Sequence, residues 1–351
     1  MGRFREECMS RARAIAAALL VLAVAGGGAR AADLPPAVAA LLPQAKAEGL
    51  TANIFGISLD PAQIAAFNKS ISAFYGVPIT LNMTGSLHPQ KAAELVQGAK
   101  MGAESGLDIF WTASAIAGTL EKADLIAPFD WVSAFGLDPA FREGTKGLRL
   151  HDGTLAGVIY NTQLLKPDQA PKSYPSIVDN PKLKGRIAMP RAPNVFIFMA
   201  YAIGDAAAQN LVKQLMGPQQ ARILPTYPDV QNRVMSGEFA IGLGVDSTMA
   251  RRRGAPVANA PIDPVVLTPW AAWLMKDAKH PATGKLFGYW ASSRQGQRTL
   301  WDVDGIARVT TPDTDLAKLA EKKKVVLVPH DYMVETLPKL VPVYSRLMGL
   351  H

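Results

Sequence analysis

Leu107-Asp108-Ile109-Phe110-Trp111-Thr112-Ala113-Ser114 is the stretch that decides the fold. Leu107 to Trp111 is a short apolar run; small or hydroxylated residues close it, and Ile116 to Ala123 then reads as a helix. A buried strand that turns tightly into a helix is half of a βαβ crossover, the unit of a mostly parallel sheet. The same alternation extends in both directions. Upstream, Ala52 to Ile57 reads as a strand, and Ile64, Phe67, Ile71 and Phe74 follow at helical spacing behind the start signal Asp60-Pro61. Val77 to Met83 is a second strand and Pro89 to Met101 a second helix. Downstream, Pro128 to Gly147 is irregular; the pattern then restarts at Gly157 to Tyr160. It continues with strands at Gly185 to Met189, Ala221 to Leu224 and Ala240 to Gly244, and helices from Val195, Asp205 and Asp229. Val265 to Leu267 and Ala272 to Met275 are extended, and helices follow at Pro281 to Ser292 and Gln295 to Trp301. Two α/β units in tandem, each with its own sheet, account for this order.

The chain is long enough for two domains, with 351 residues of which 49% are hydrophobic and 19% charged, and too apolar for disorder. Arg11 and Arg13 precede the apolar run Ala14 to Ala25, which ends in Gly26-Gly27-Gly28 and Ala29-Arg30-Ala31. A basic start, a short apolar stretch and a small-x-small site make a secretory signal peptide over residues 1–31, cleaved after Ala31. The single cysteine, Cys8, falls in this leader, so the mature chain is expected to have neither disulfides nor thiol chemistry. The leader also holds five Arg and two Glu, so the net charge of +8 becomes +5 in the mature protein. Arg251-Arg252-Arg253 is a short basic run of the kind a solvated face carries, and no nucleic-acid partner is expected.

No nucleophile elbow, His-Glu-x-x-His or Walker loop occurs, and His88, His151, His280, His330 and His351 are scattered without metal-ligand spacing. The expectation is a binding protein with no catalytic residues, no cofactor and no metal ligands. Its candidate site lies at four strand-to-helix junctions: Thr84-Gly85-Ser86, Thr112 and Ser114, Arg191 with Asn194, and Asp246-Ser247-Thr248. In open sheets ligands bind at the carboxyl ends of strands, where helix N-termini present unpaired N–H groups. Each of these residues is also an ordinary N-cap. Arg191 is suited to hold a carboxylate or phosphate, and Asp246 to cap its helix, pair with Arg191 or receive an amine. Tyr160 lies where the chain should pass between lobes, and Trp111, Trp270 and Tyr227 are candidate aromatic walls.

The stretch 107–114 also resembles the "ADVFWS" segment of bacterial extracellular solute-binding proteins of ABC importers, in the group that holds ferric-ion, phosphonate, thiamine and polyamine binders. Gly157-Val158-Ile159-Tyr160-Asn161-Thr162, Lys184 to Pro190, Asp229 to Gly244 and the His280-Pro281 stretch through Gln297 resemble further segments in the same order. The resemblance implies a type II-like periplasmic-binding-protein fold: α/β, with two parallel or mixed sheets flanked by helices and joined by hinge crossover strands near Tyr160 and near Val265 to Pro269. The first lobe is expected over 32–158 and about 268–308, the second over 159–267 and about 309–351. It implies a monomer in the periplasm that captures a small anionic or zwitterionic solute (a phosphonate, phosphate ester or carboxylate) by hinge closure and delivers it to membrane permease subunits. Ferric binders of the group carry adjacent tyrosines after the strand corresponding to Ala240 to Gly244. Here Asp246-Ser247-Thr248 follows, with no tyrosine until Tyr289, so iron would need other oxygen ligands. The alternatives are such a ferric binder, or a secreted two-lobed enzyme using Asp246 or His88 as a base.

Overall fold

The structure, a computed structural model, describes residues 34–350; the expected leader and Cys8 lie outside them. Twelve strands form two mixed sheets. The first contains β1 (Thr51–Phe55), β2 (Thr80–Thr84), β3 (Ile109–Ala113), β4 (Arg142–Glu143) and β5 (Gly147–Gly153), together with β11 (Val265–Leu274) and β12 (Val325–Leu327). Its order is β2-β1-β3-β11-β5-β4, with β12 paired to the start of β11. The second contains β6 (Val158–Asn161), β7 (Ile187–Pro190), β8 (Arg222–Leu224), β9 (Ile241–Leu243) and β10 (Val257–Asn259), in the order β10-β6-β9-β7-β8.

Strands β1, β2 and β3 are parallel, and β7 is parallel to β8 and β9, as helical crossovers require. β11, inserted between β3 and β5, and β6, inserted between β9 and β10, run antiparallel to both their neighbours; β4 is antiparallel to β5, and β12 runs parallel to β11. The chain leaves the first sheet through Thr154–Gly157 and returns through Ala260–Pro264.

Local chemistry sets the helix bounds. Asp60 and Gln63 close a capping box around Pro61–Tyr75, and Gly76 ends that helix at φ 68°, a conformation costly for a residue with a Cβ. Thr226 and Asp229 do the same at the start of Tyr227–Met235. Both faces of each sheet are covered. Phe67, Ile71, Leu286, Phe287 and Trp290 pack one face of the first sheet, and Phe55, Leu95, Phe110 and Leu120 the other. The helices Asn194–Ile203, Asp205–Met216 and Leu337–Leu347 cover one face of the second, and Val230 and Val234 the opposite one.

Two departures from the sequence reading bear on the site. β5, a strand the sequence reading did not assign, carries the polar residues Arg149, His151 and Asp152, all buried. Arg149 and Asp152 make this possible by neutralising each other. The two extended pieces Val265–Leu267 and Ala272–Met275 fall on a single strand, β11, which ends at Leu274 and whose register shifts between Trp270 and Ala271.

Candidate ligand-binding cleft

A cleft of about 390 Å³ opens between the two sheets, within the range of small-molecule sites. The first sheet supplies Ile57 just past β1, His151 to Leu155 at the end of β5, Trp270 from β11, and the Gly305-Ile306-Ala307 turn. The second supplies Gly244 to Asp246 and Thr248 after β9, with Tyr227, Pro228 and Gln231 from the helix after β8. The cleft therefore sits at the carboxyl ends of β1, β5, β8 and β9, where an open α/β sheet places ligands.

Asp246 is anchored in it by neutral donors. Its Oδ1 accepts from the Thr248 backbone N–H and its Oδ2 from Asn259 Nδ2, both at 2.8 Å. Asn259 is fixed in turn, its Oδ1 accepting from the Ser247 N–H and hydroxyl at 2.8 Å each. Gln231 Nε2 donates to the Asp246 carbonyl oxygen at 2.6 Å. Asp152, the other carboxylate of the wall, is occupied: Arg149 Nε and Nη2 donate to its two oxygens at 2.6 Å, and the Val309 N–H adds a third bond. Among the described residues that line the cleft there is no Lys or Arg.

The remaining wall is aromatic. Trp270 stacks on His151 with centroids 5.3 Å apart and 28° between planes, and His88 meets Trp270 edge-on at 5.1 Å. Burial drives the His151 pKa down to about 3 and that of His88 to about 4, so both imidazoles are neutral. Burial likewise holds the Tyr227 hydroxyl protonated, its pKa pushed up to about 12.

Of the eleven residues expected at the site, Asp246 and Thr248 line the cleft. Ser247 is buried behind them on Asn259. Thr112 and Ser114 are buried in the first lobe's layers; Thr112 Oγ1 bonds His88 Nδ1 at 2.9 Å, and Ser114 donates to Glu143. Tyr160 belongs to the core of the second sheet. Thr84 and Ser86 are exposed, and Gly85 backs directly onto Gly56 and Ile57: a Cβ there would lie 2.5 Å from the Gly56 oxygen. Arg191 is exposed and Asn194 is half-buried at the first turn of its helix. Three of the four junctions give their helices no side-chain cap, those starting at His88, Ser114 and Asn194; at the fourth Ser247 does not cap, but Asp246 Oδ1 takes the first helical N–H, that of Thr248. The sequence reading did not include Ile57, His151, Asp152, Thr154 or Gln231 in the cleft. Most of these sit on β5 or directly beside it, the strand whose polar content hid it.

The sequence matches the family described as bacterial extracellular solute-binding protein over residues 62–326. The chain belongs to this family. Such proteins bind small solutes and deliver them to the permeases of ABC importers. Among solved structures the fold is that of two-lobed periplasmic binding proteins. Iron-bound HitA from Pseudomonas aeruginosa superposes with a TM-score of 0.64 at 16% identity, over 86% of this chain and 99% of that one. AfuA from Actinobacillus pleuropneumoniae, with fructose-6-phosphate bound, gives 0.64 at 18% identity over 86% and 99%. The ferric binding protein from Campylobacter jejuni gives 0.67 at 15% identity over 84% and 99%. No curated protein sequence matches the chain.

Proposed function

We propose that this solute-binding protein captures a small zwitterion, an amine joined to a carboxylate, phosphonate or phosphate ester, and that it is a binder and not an enzyme. The observation that carries this is the charge of the cleft wall. Asp246 is pinned by neutral donors alone, with no Lys or Arg among its hydrogen-bond partners, and among the described lining residues no cationic side chain stands to balance a bare anion. An amine meets Asp246, and the aliphatic body lies against Trp270 and Tyr227. The anionic end reaches neutral donors, with the Thr154 and Thr248 hydroxyls at hand. The two lobes, each built on its own sheet, close about the crossings Thr154–Gly157 and Ala260–Pro264, with β12 kept on the first sheet. Closure removes water and strengthens each polar contact. The protein acts as an exported monomer, its leader cleaved near Ala31.

Thermal melts with matched probes test the assignment. β-Alanine and 3-aminopropylphosphonate raise Tm by about 5 °C at saturating concentration, whereas propionate, propylphosphonate and propylamine do not. A larger rise with propylphosphonate or ferric citrate would replace the zwitterion with an anion or a ferric complex.

A further inference from the structure

His151 is buried, lines the cleft, and has a ring nitrogen, Nδ1, with no hydrogen-bond partner among the described residues. A neutral imidazole has one N–H and one lone pair, and the surroundings decide which nitrogen has which. An orphaned N–H in a dry interior is the rarer and costlier defect. Trp111, whose own Nε1–H is buried and unpartnered, stands edge-on to the imidazole at 5.4 Å. A proton on Nδ1 would put a second unpaired donor in the same apolar pocket. A lone pair there would not. The proton therefore belongs on Nε2, which makes no hydrogen bond within the described residues.

We propose that His151, fixed as the Nε2–H tautomer between Trp111 and Trp270, donates to the anionic oxygen of the solute and so recognises the end opposite the amine on Asp246. This rests on the cleft being the solute site. It gives the wall a directional donor without a positive charge, which a zwitterion satisfies and a second cation-seeking anion does not. Asp152 does not compete for this N–H, because Arg149 and the Val309 N–H already hold its oxygens. The titratable groups facing His151 are His88, itself neutral, and Arg149; burial above all, with the Arg149 charge beside it, keeps the ring neutral.

Nitrogen-15 NMR of the full chain, with β-alanine as probe, tests this. The expected result is an unprotonated Nδ1 and a protonated Nε2 throughout pH 5–8, with the Nε2 resonance moving as β-alanine is added. His151→Gln, which keeps an N–H donor, holds β-alanine affinity within about threefold. His151→Phe loses about tenfold or more, as for a bond to a charged acceptor. A proton on Nδ1, an imidazolium at pH 6, or equal losses in the two variants overturns the role of His151. If cleft resonances such as those of Tyr227 shift while His151 does not, His151 is removed and the cleft stands. If no cleft resonance responds to β-alanine or 3-aminopropylphosphonate, the zwitterion site itself fails and His151 with it.

Discussion

Asp246 shows how much one side chain depends on its neighbours. Asn259 has committed its oxygen to Ser247, so its amide can only donate, and Asp246 must be an acceptor on that side. In Asp246→Asn, an amide oxygen placed on the Thr248 N–H turns the new NH₂ toward the Asn259 NH₂. The variant is expected to lose ~1–2 kcal/mol of stability and about tenfold or more of β-alanine affinity, read by denaturant unfolding and calorimetry. Unchanged affinity would take the amine off Asp246. Glu143 is a second informative residue. Burial dominates its environment and holds its carboxyl up at about 7, against the pull of the Ser114 hydroxyl, His330 and Arg149. A carboxyl whose folded pKa exceeds its ordinary 4.5 stabilises the fold when protonated. That contribution is complete below pH 4.5 and is lost as pH rises through 7. His330 titrates with the same sign: burial lowers its pKa, but Glu121, Glu143 and Asp331 raise it on balance. Glu143→Gln is therefore expected to flatten the decline of Tm between pH 5 and 8; a decline as steep as in the parent would assign the slope to other groups.

Helices and strands were legible where their chemistry is local. Asp60-Pro61 announced a helix, and the structure completes that signal with Gln63 and Gly76. The junctions after β3 and β9 were legible because apolar runs end there in hydroxyl and carboxylate residues. β5 was not, because Arg149 and Asp152 are buried by pairing with each other, and no periodicity of apolar residues records an ion pair. With that strand went His151, the gap in the sequence-based site. Packing between elements was equally invisible. At the junction of Pro281–Ser292 with Arg294–Asp304, Gly296 sits so close that a Cβ would lie 1.9 Å from the Trp290 oxygen and 2.7 Å from Ala291 Cα. Gly296→Ala is expected to cost ~3 kcal/mol or more, since backbone must move to admit the methyl. An unchanged urea midpoint would contradict that packing.

The two lobes also touch directly beside the cleft. Arg252, on the short helix that follows Asp246, lays its guanidinium 3.7 Å over the Trp301 ring and donates from Nη1 to the Trp301 carbonyl oxygen at 2.9 Å. Met249 packs against Gly305, where a Cβ would come within 2.7 Å of its sulfur, and Arg251 pairs with Asp315. The segment that presents Asp246 to the cleft thus continues into a clasp on the opposite lobe, so a solute held by Asp246 and a closed cleft favour each other. Arg252→Ala is expected to remove ~1 kcal/mol from the closed state, lowering β-alanine affinity about fivefold and raising the radius of gyration in small-angle scattering. Scattering and affinity both equal to the parent's would mean the clasp does not govern closure. The most direct test of the central claim is native mass spectrometry of the protein isolated from cells grown in rich medium. One small molecule per chain, bearing both an amine and an acidic group and lost from Asp246→Asn, is the expected result. A bound species without an amine, or one retained in full by that variant, would contradict it.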